Sequence, residues 1–105
     1  MSTPEGRVKA RLKRRLKEEF GKKLYQFWPV QTGMGASTLD CLICFEGFFL
    51  SVETKAPGKK FTPRQEIVAE NIREAGGFVI KIDSNVGVEA LVAFLKGMVD
   101  ASNYI

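Results

Sequence analysis

Residues Leu39 to Lys55 read LDCLICFEGFFLSVETK, two apolar runs joined at Glu46-Gly47, with Asp40 in the first run and Glu53 and Lys55 in the second. Apolar, aromatic and β-branched residues on either side of a two-residue X-Gly junction predict a hairpin, with strands over Leu39 to Phe45 and Phe48 to Thr54. Such a turn pairs Phe45 with Phe48, and each step back along one strand matches a step forward along the other. Asp40 therefore falls opposite Glu53. Opposed residues share a face with Cβ atoms about 4.5–5.5 Å apart, and Lys55, two residues beyond Glu53, projects from that face too. Two carboxylates about 5 Å apart repel by roughly 3 kcal/mol at an effective dielectric near 20, a large cost for a small domain. Lys55 alone can offset part of it in a salt-bridged cluster. A divalent cation between the two acids offsets more, and the apolar neighbours Leu39, Leu42 and Val52 predict the partial burial that makes the offset necessary. Oxygen ligands suit Mg²⁺ or Mn²⁺. All of this depends on register, because a one-residue slip would send the acids to opposite faces.

On the N-terminal side of the hairpin, Thr3-Pro4-Glu5 is a helix start: a cap, a proline suited to the first turn, and an acid that complements the dipole. Val8, Leu12, Leu16 and Phe20 recur every four residues as a narrow apolar stripe, so a helix is predicted to about Phe20. Glu5 lies near the line of that stripe and faces inward, although its place in the first turn is explained by the dipole alone. Gly21 ends the helix, and Leu24 to Val30 is an aromatic-rich first strand closed by Pro29. Gln31 to Thr38 is a small-residue loop without the spacing or terminal lysine of a phosphate loop.

Beyond the hairpin, Ala56 to Phe61 is a turn carrying Lys59 and Lys60, placed to reach a phosphate. Thr62-Pro63-Arg64-Gln65 opens a helix running to about Ala75, and Thr62 with Gln65 fits a capping box. Gly76-Gly77 stops it, Phe78 to Ile82 forms a strand in crossover order, and a last helix spans about Val86 to Val99 with Val88, Leu91, Val92 and Leu95 inward.

The chain of 105 residues is read as one domain, residues 1–105, with one core. It contains no histidine, which removes Ser-His and Cys-His nucleophile systems and the commonest general base. Cys41 and Cys44 spell C-x-x-C, but three apart on a strand they point to opposite faces. With no further thiol or imidazole a zinc site cannot be assembled, so both are read as buried structural thiols. Chemistry must rest on carboxylates, lysine and metal. No segment has the apolar length to cross a bilayer, and the basic N-terminus lacks the apolar run of a secretory signal, so a cytoplasmic protein without membrane contact is expected. Residues 1–25 hold nine lysines and arginines against three acids, a balance of +6, whereas the other eighty residues carry −2 of the total +4. Arg7, Arg11 and Arg14 are the first helix's candidates for phosphate contact; a solvated basic face explains them equally.

The order helix, three strands, helix, strand, helix, with an Asp on the second strand and Glu-x-Lys on the third, resembles the PD-(D/E)XK nuclease superfamily. The residues that carry the resemblance are Glu5, the run Gly35 to Asp40, Glu53 to Gly58, Thr62 to Gln65 and Ala75 to Gly77, and they point to the VRR-NUC branch, of the short stand-alone type found in bacteriophages. The resemblance implies a restriction-endonuclease-like α/β fold with an αβββαβα core, a mixed central sheet flanked by helices. It also implies that Asp40, Glu53 and the carbonyl of Thr54 ligate a catalytic Mg²⁺ or Mn²⁺, that Lys55 orients or activates the attacking water, and that Glu5 and Gln65 complete the catalytic set. Leu39 stands where the superfamily motif has proline, which bears on how the strand begins and not on the metal. Relatives of this size resemble homodimers acting on branched DNA such as four-way Holliday junctions. The expected activity is a metal-dependent, structure-selective DNA endonuclease. The alternatives are a nucleic-acid-binding module that keeps the fold without the reaction, and a salt-bridged scaffold that binds neither metal nor DNA.

Overall fold

The structure, a computed structural model, describes residues 3–30 and 37–102. Most of the loop expected over Gln31 to Thr38, including Gly35 and Ala36, lies outside the described residues, as does the end of the C-terminal tail. The chain order is α1 (Pro4–Phe20), a 3₁₀ turn (Gly21–Lys23), β1 (Leu24–Phe27), β2 (Cys41–Phe45), β3 (Phe48–Thr54), α2 (Pro63–Glu74), β4 (Phe78–Ile82) and α3 (Asn85–Ser102). This is the expected αβββαβα order. The strands form one mixed sheet in the order β1-β2-β3-β4, antiparallel between β1, β2 and β3 and parallel between β3 and β4. A parallel neighbour requires a crossover, and α2 is that crossover.

The hairpin has the expected register, with Phe45 paired to Phe48 and Cys41 to Val52. Glu46 and Gly47 both adopt positive φ, 52° and 81°, so the turn twists with its strands. Gly47 takes this conformation without a Cβ penalty, whereas Glu46 bears one.

Alternation along the strands sorts the two faces. Cys41, Ile43, Phe45, Leu50, Val52 and Ile82 turn to one side and pack with Val8, Leu12 and Leu16 of α1 and Val88, Leu91 and Leu95 of α3. The i, i+4 stripe of α1 is thus a core face, as the spacing predicted, with Thr3 Oγ1 accepting from the Gly6 amide at its start. Val92 is buried along with the other inner positions of α3. The opposite face is covered only in part, by α2, and Tyr25, Phe27 and Phe49 remain exposed there.

Two expectations are corrected. Cys44 is exposed, not buried, because α2 does not extend over the β1–β2 side of the sheet; Cys41 is buried, and burial pushes its thiol up to about 12. The first strand ends at Phe27 and the second begins at Cys41 rather than Leu39. The residue standing where proline was expected, Leu39, is fully buried just outside the strand.

Replacing Glu46 by Asn, the residue that best tolerates this turn position, should raise stability by about 1 kcal/mol. A urea midpoint equal to or below that of wild type would show that Glu46 carries no such strain.

Candidate metal centre at the end of the hairpin

The β2–β3 ladder closes at Cys41 and Val52, and the next residues are joined through side chains. The Glu53 carboxylate accepts from the Asp40 amide (Oε1, 3.1 Å), while the Asp40 carboxylate accepts from the Thr54 amide and hydroxyl (Oδ2, 3.0 and 2.6 Å). Each acid is held by donors belonging to the other's neighbourhood. Sequence reasoning brought the two acids together as a cross-strand pair. The structure brings them together just past the end of the ladder, where no backbone bond competes for these donors.

Glu53 is 3% exposed and Asp40 half-buried. Carboxylate oxygens of Glu5, Asp40 and Glu53 all lie within 4.8 Å of one another. Glu5 reaches the cluster from the first turn of α1, as the inward-facing position predicted. Lys55 lies 3.7 Å from Glu53 Oε2, and Gln65 Nε2 donates to the same oxygen at 2.8 Å. Gln65 is fixed at its other end too: its Oε1 accepts from the Thr62 amide in a complete capping box. The capping and site roles of Gln65 coexist because its oxygen serves one and its nitrogen the other.

Thr54 donates its amide toward Asp40, whereas the next amide, that of Lys55, donates across to Ile82 on β4. Amide and carbonyl of one strand residue point the same way, so the Thr54 carbonyl is directed to the Asp40 side of β3.

Burial, followed by the charge of Asp40, pushes the Glu53 carboxyl up to about 7; the Asp40 amide and Lys55 act against this, and Glu5 adds to it. A nearly buried carboxyl beside two more acids is poised to take a cation in place of its proton. Three carboxylates with oxygen donors only fit a hard divalent ion such as Mg²⁺ or Mn²⁺.

Lys9 is a site residue that sequence reasoning missed. It lies one helical turn from Glu5, 3.8 Å from Asp40 Oδ1, and 5.9 Å from the centre of the Trp28 ring. The i, i+4 spacing from Glu5 was the available signal. The proposed phosphate-binding residues are dispersed. Arg11 points at Glu89 on α3 (3.6 Å), Arg14 pairs with Glu18 (3.2 Å), and Arg7 is exposed. Lys59 and Lys60 are exposed in the turn before α2. Arg15, not singled out from sequence, makes a two-pronged contact with Glu89 (2.8 and 2.9 Å) that holds that carboxyl below its usual range.

A mixed four-stranded sheet between helices, with acids gathered where its two central strands end, defines the α/β fold of a nuclease. The chain is similar to a solved VRR_NUC domain, with 26% identity and a TM-score of 0.73 over 88% of this chain and 97% of that one. This likeness supports the VRR-NUC resemblance carried by the sequence. No family model and no curated protein matches the sequence. No helix among the described residues is long and apolar enough to cross a membrane.

Glu53 binds its proton more tightly folded than unfolded, so its ionisation opposes folding. That penalty is absent below the ordinary value near 4.5 and complete above about 7. In the absence of divalent ions, the stability of Glu53→Gln relative to wild type should therefore rise by up to about 3 kcal/mol between these pH values. A difference that stays flat in urea titrations across that window would contradict the account of the site.

Proposed function

We propose that this chain is a metal-dependent, structure-selective DNA endonuclease that hydrolyses phosphodiester bonds. The observation that carries the reading is the convergence of Glu5, Asp40 and Glu53 within 4.8 Å, with Lys55 against Glu53. Asp40 and Glu53, with Glu5 and the Thr54 carbonyl beside them, would hold the ion. Bound there, Mg²⁺ or Mn²⁺ supplies Lewis-acid stabilisation of phosphoryl charge and activates water.

The chain's own residues do the rest. Asp40 and Glu53 are fixed before any ligand arrives, since backbone amides, the Thr54 hydroxyl and Gln65 already hold their oxygens. Such preorganisation spares reorganisation during the reaction. The Lys55 ammonium, itself largely buried beside Glu53, donates to the attacking water or to a phosphoryl oxygen and offsets the negative charge that develops there. Lys9 balances Asp40 while the substrate is absent and is free to turn to a phosphate when a cation takes its place.

Branched DNA is the proposed substrate and a homodimer the proposed active form. Resolving a four-way junction takes two cuts, and this domain offers one cluster of acids among the described residues. Support for both comes from the family resemblance and this geometric requirement.

Purified protein incubated with single strands, duplex, flaps and a four-way junction should cut with Mn²⁺ or Mg²⁺. Glu53→Gln and Lys55→Ala should each lower the rate by at least about a hundredfold, with DNA binding retained. Gln65→Ala should lower it less, because Glu53 keeps the Asp40 amide. Cleavage by both Glu53→Gln and Lys55→Ala at the wild-type rate would sink the proposal, while DNA binding without cleavage by the wild type would favour a binding module.

A further inference from the structure

We propose that a groove beside the acid cluster, formed by Lys60, Arg73 and Lys81, is a phosphate subsite that grips the DNA strand next to the bond being cut; this rests on the nuclease reading and extends it. The groove has a volume of about 250 Å³ and is lined by Lys60, Phe61, Glu66, Arg73, Val79 and Lys81.

Its position follows from the sheet. Lys81 is the register partner of Glu53 across the parallel β3–β4 ladder, so it projects from the same face one strand away. Neighbouring strands are about 4.8 Å apart. Glu66, on the groove wall, directly follows Gln65, whose amide holds Glu53. Groove and acid cluster are therefore neighbours on one face of the sheet, and a single DNA strand, rising about 3.4 Å per nucleotide, would reach both at once.

Charge gives the groove its preference. Three cations face one acid, Glu66. Among the described residues neither Lys60 nor Arg73 is paired with a carboxylate. The Lys81 ammonium donates to the Lys59 carbonyl (2.9 Å), which aims it without neutralising it. In α1, by contrast, Arg11, Arg14 and Arg15 lie against Glu89, Glu18 and Glu19. Paired cations must release a partner to bind phosphate, and unpaired ones need not. Arg73 offers a planar fork suited to two phosphate oxygens, the two lysines offer point charges, and Phe61 with Val79 supplies an apolar wall for the sugar edge.

The test is the affinity of the full-length protein for a fluorescent four-way junction and a matched duplex in Ca²⁺, across a salt series. Arg73→Gln and Lys81→Met should each weaken binding and lower the salt slope by about 1. Glu66→Gln should tighten binding, and Lys17→Gln, on exposed α1 surface, should change the slope less than either. Among the described residues the Arg73 side chain makes no hydrogen bond or ion pair, so Arg73→Gln stays decisive if Lys81→Met loosens the Lys59 turn. Slopes unchanged both in Arg73→Gln and in a protein carrying Arg73→Gln and Lys81→Met together would overturn the subsite while leaving the nuclease reading intact. A wild type that binds with these slopes but never cuts with Mn²⁺ would support the groove and sink the nuclease reading.

Discussion

Past the Cys41–Val52 pair, the ends of β2 and β3 are held by an exchange of carboxylates: Glu53 on the Asp40 amide, Asp40 on the Thr54 amide and hydroxyl. This contact fixes where every other part of the site must lie. It places two acids close together where mutual repulsion costs roughly 3 kcal/mol, and the surroundings are arranged around that cost. Gln65 and Lys55 reach Glu53 from one side, Lys9 reaches Asp40 from another, and Glu5 adds a third acid from α1. A cation bound between the acids would offset that cost further. The raised Glu53 carboxyl expresses the same fact in protons.

The rest of the domain supplies rigidity to that contact. α1 and α3 seal one face of the sheet, and the ionic contact of Arg15 with Glu89 ties the two helices together at its exposed rim. The Thr62–Gln65 capping box fixes the start of α2 and, through the same glutamine, the orientation of Glu53. Helix initiation and site geometry are thus one set of hydrogen bonds, and a change that frays α2 disturbs the acids.

Much of this was legible in the residues. The two-residue turn at Glu46-Gly47 determined the register, the register brought Asp40 to Glu53, and the stripe of Val8, Leu12 and Leu16 placed Glu5 on the inward side. Other features depend on contacts between residues distant in the chain, which no local pattern encodes. The strand stops at Cys41 because the Asp40 and Glu53 side chains take over the backbone donors. Cys44 is exposed because of how far α2 extends. The surplus of cations in residues 1–25 pointed to α1 as the surface for a polyanion, yet Glu89, far along the chain on α3, meets Arg11 and Arg15 there. Lys60, already placed near a phosphate by its turn, meets Arg73 of α2 and Lys81 of β4 in one groove, a convergence of three elements that no local pattern encodes.

The central claim is that the hairpin end is built to hold a divalent cation between Asp40 and Glu53. Calorimetric titration of Mn²⁺ into the metal-free protein and into Asp40→Asn, both checked for an unchanged fold by circular dichroism, tests it most directly. The account predicts saturable binding to the wild type that is lost in Asp40→Asn; equal binding by the two proteins, or none by the wild type, would contradict it.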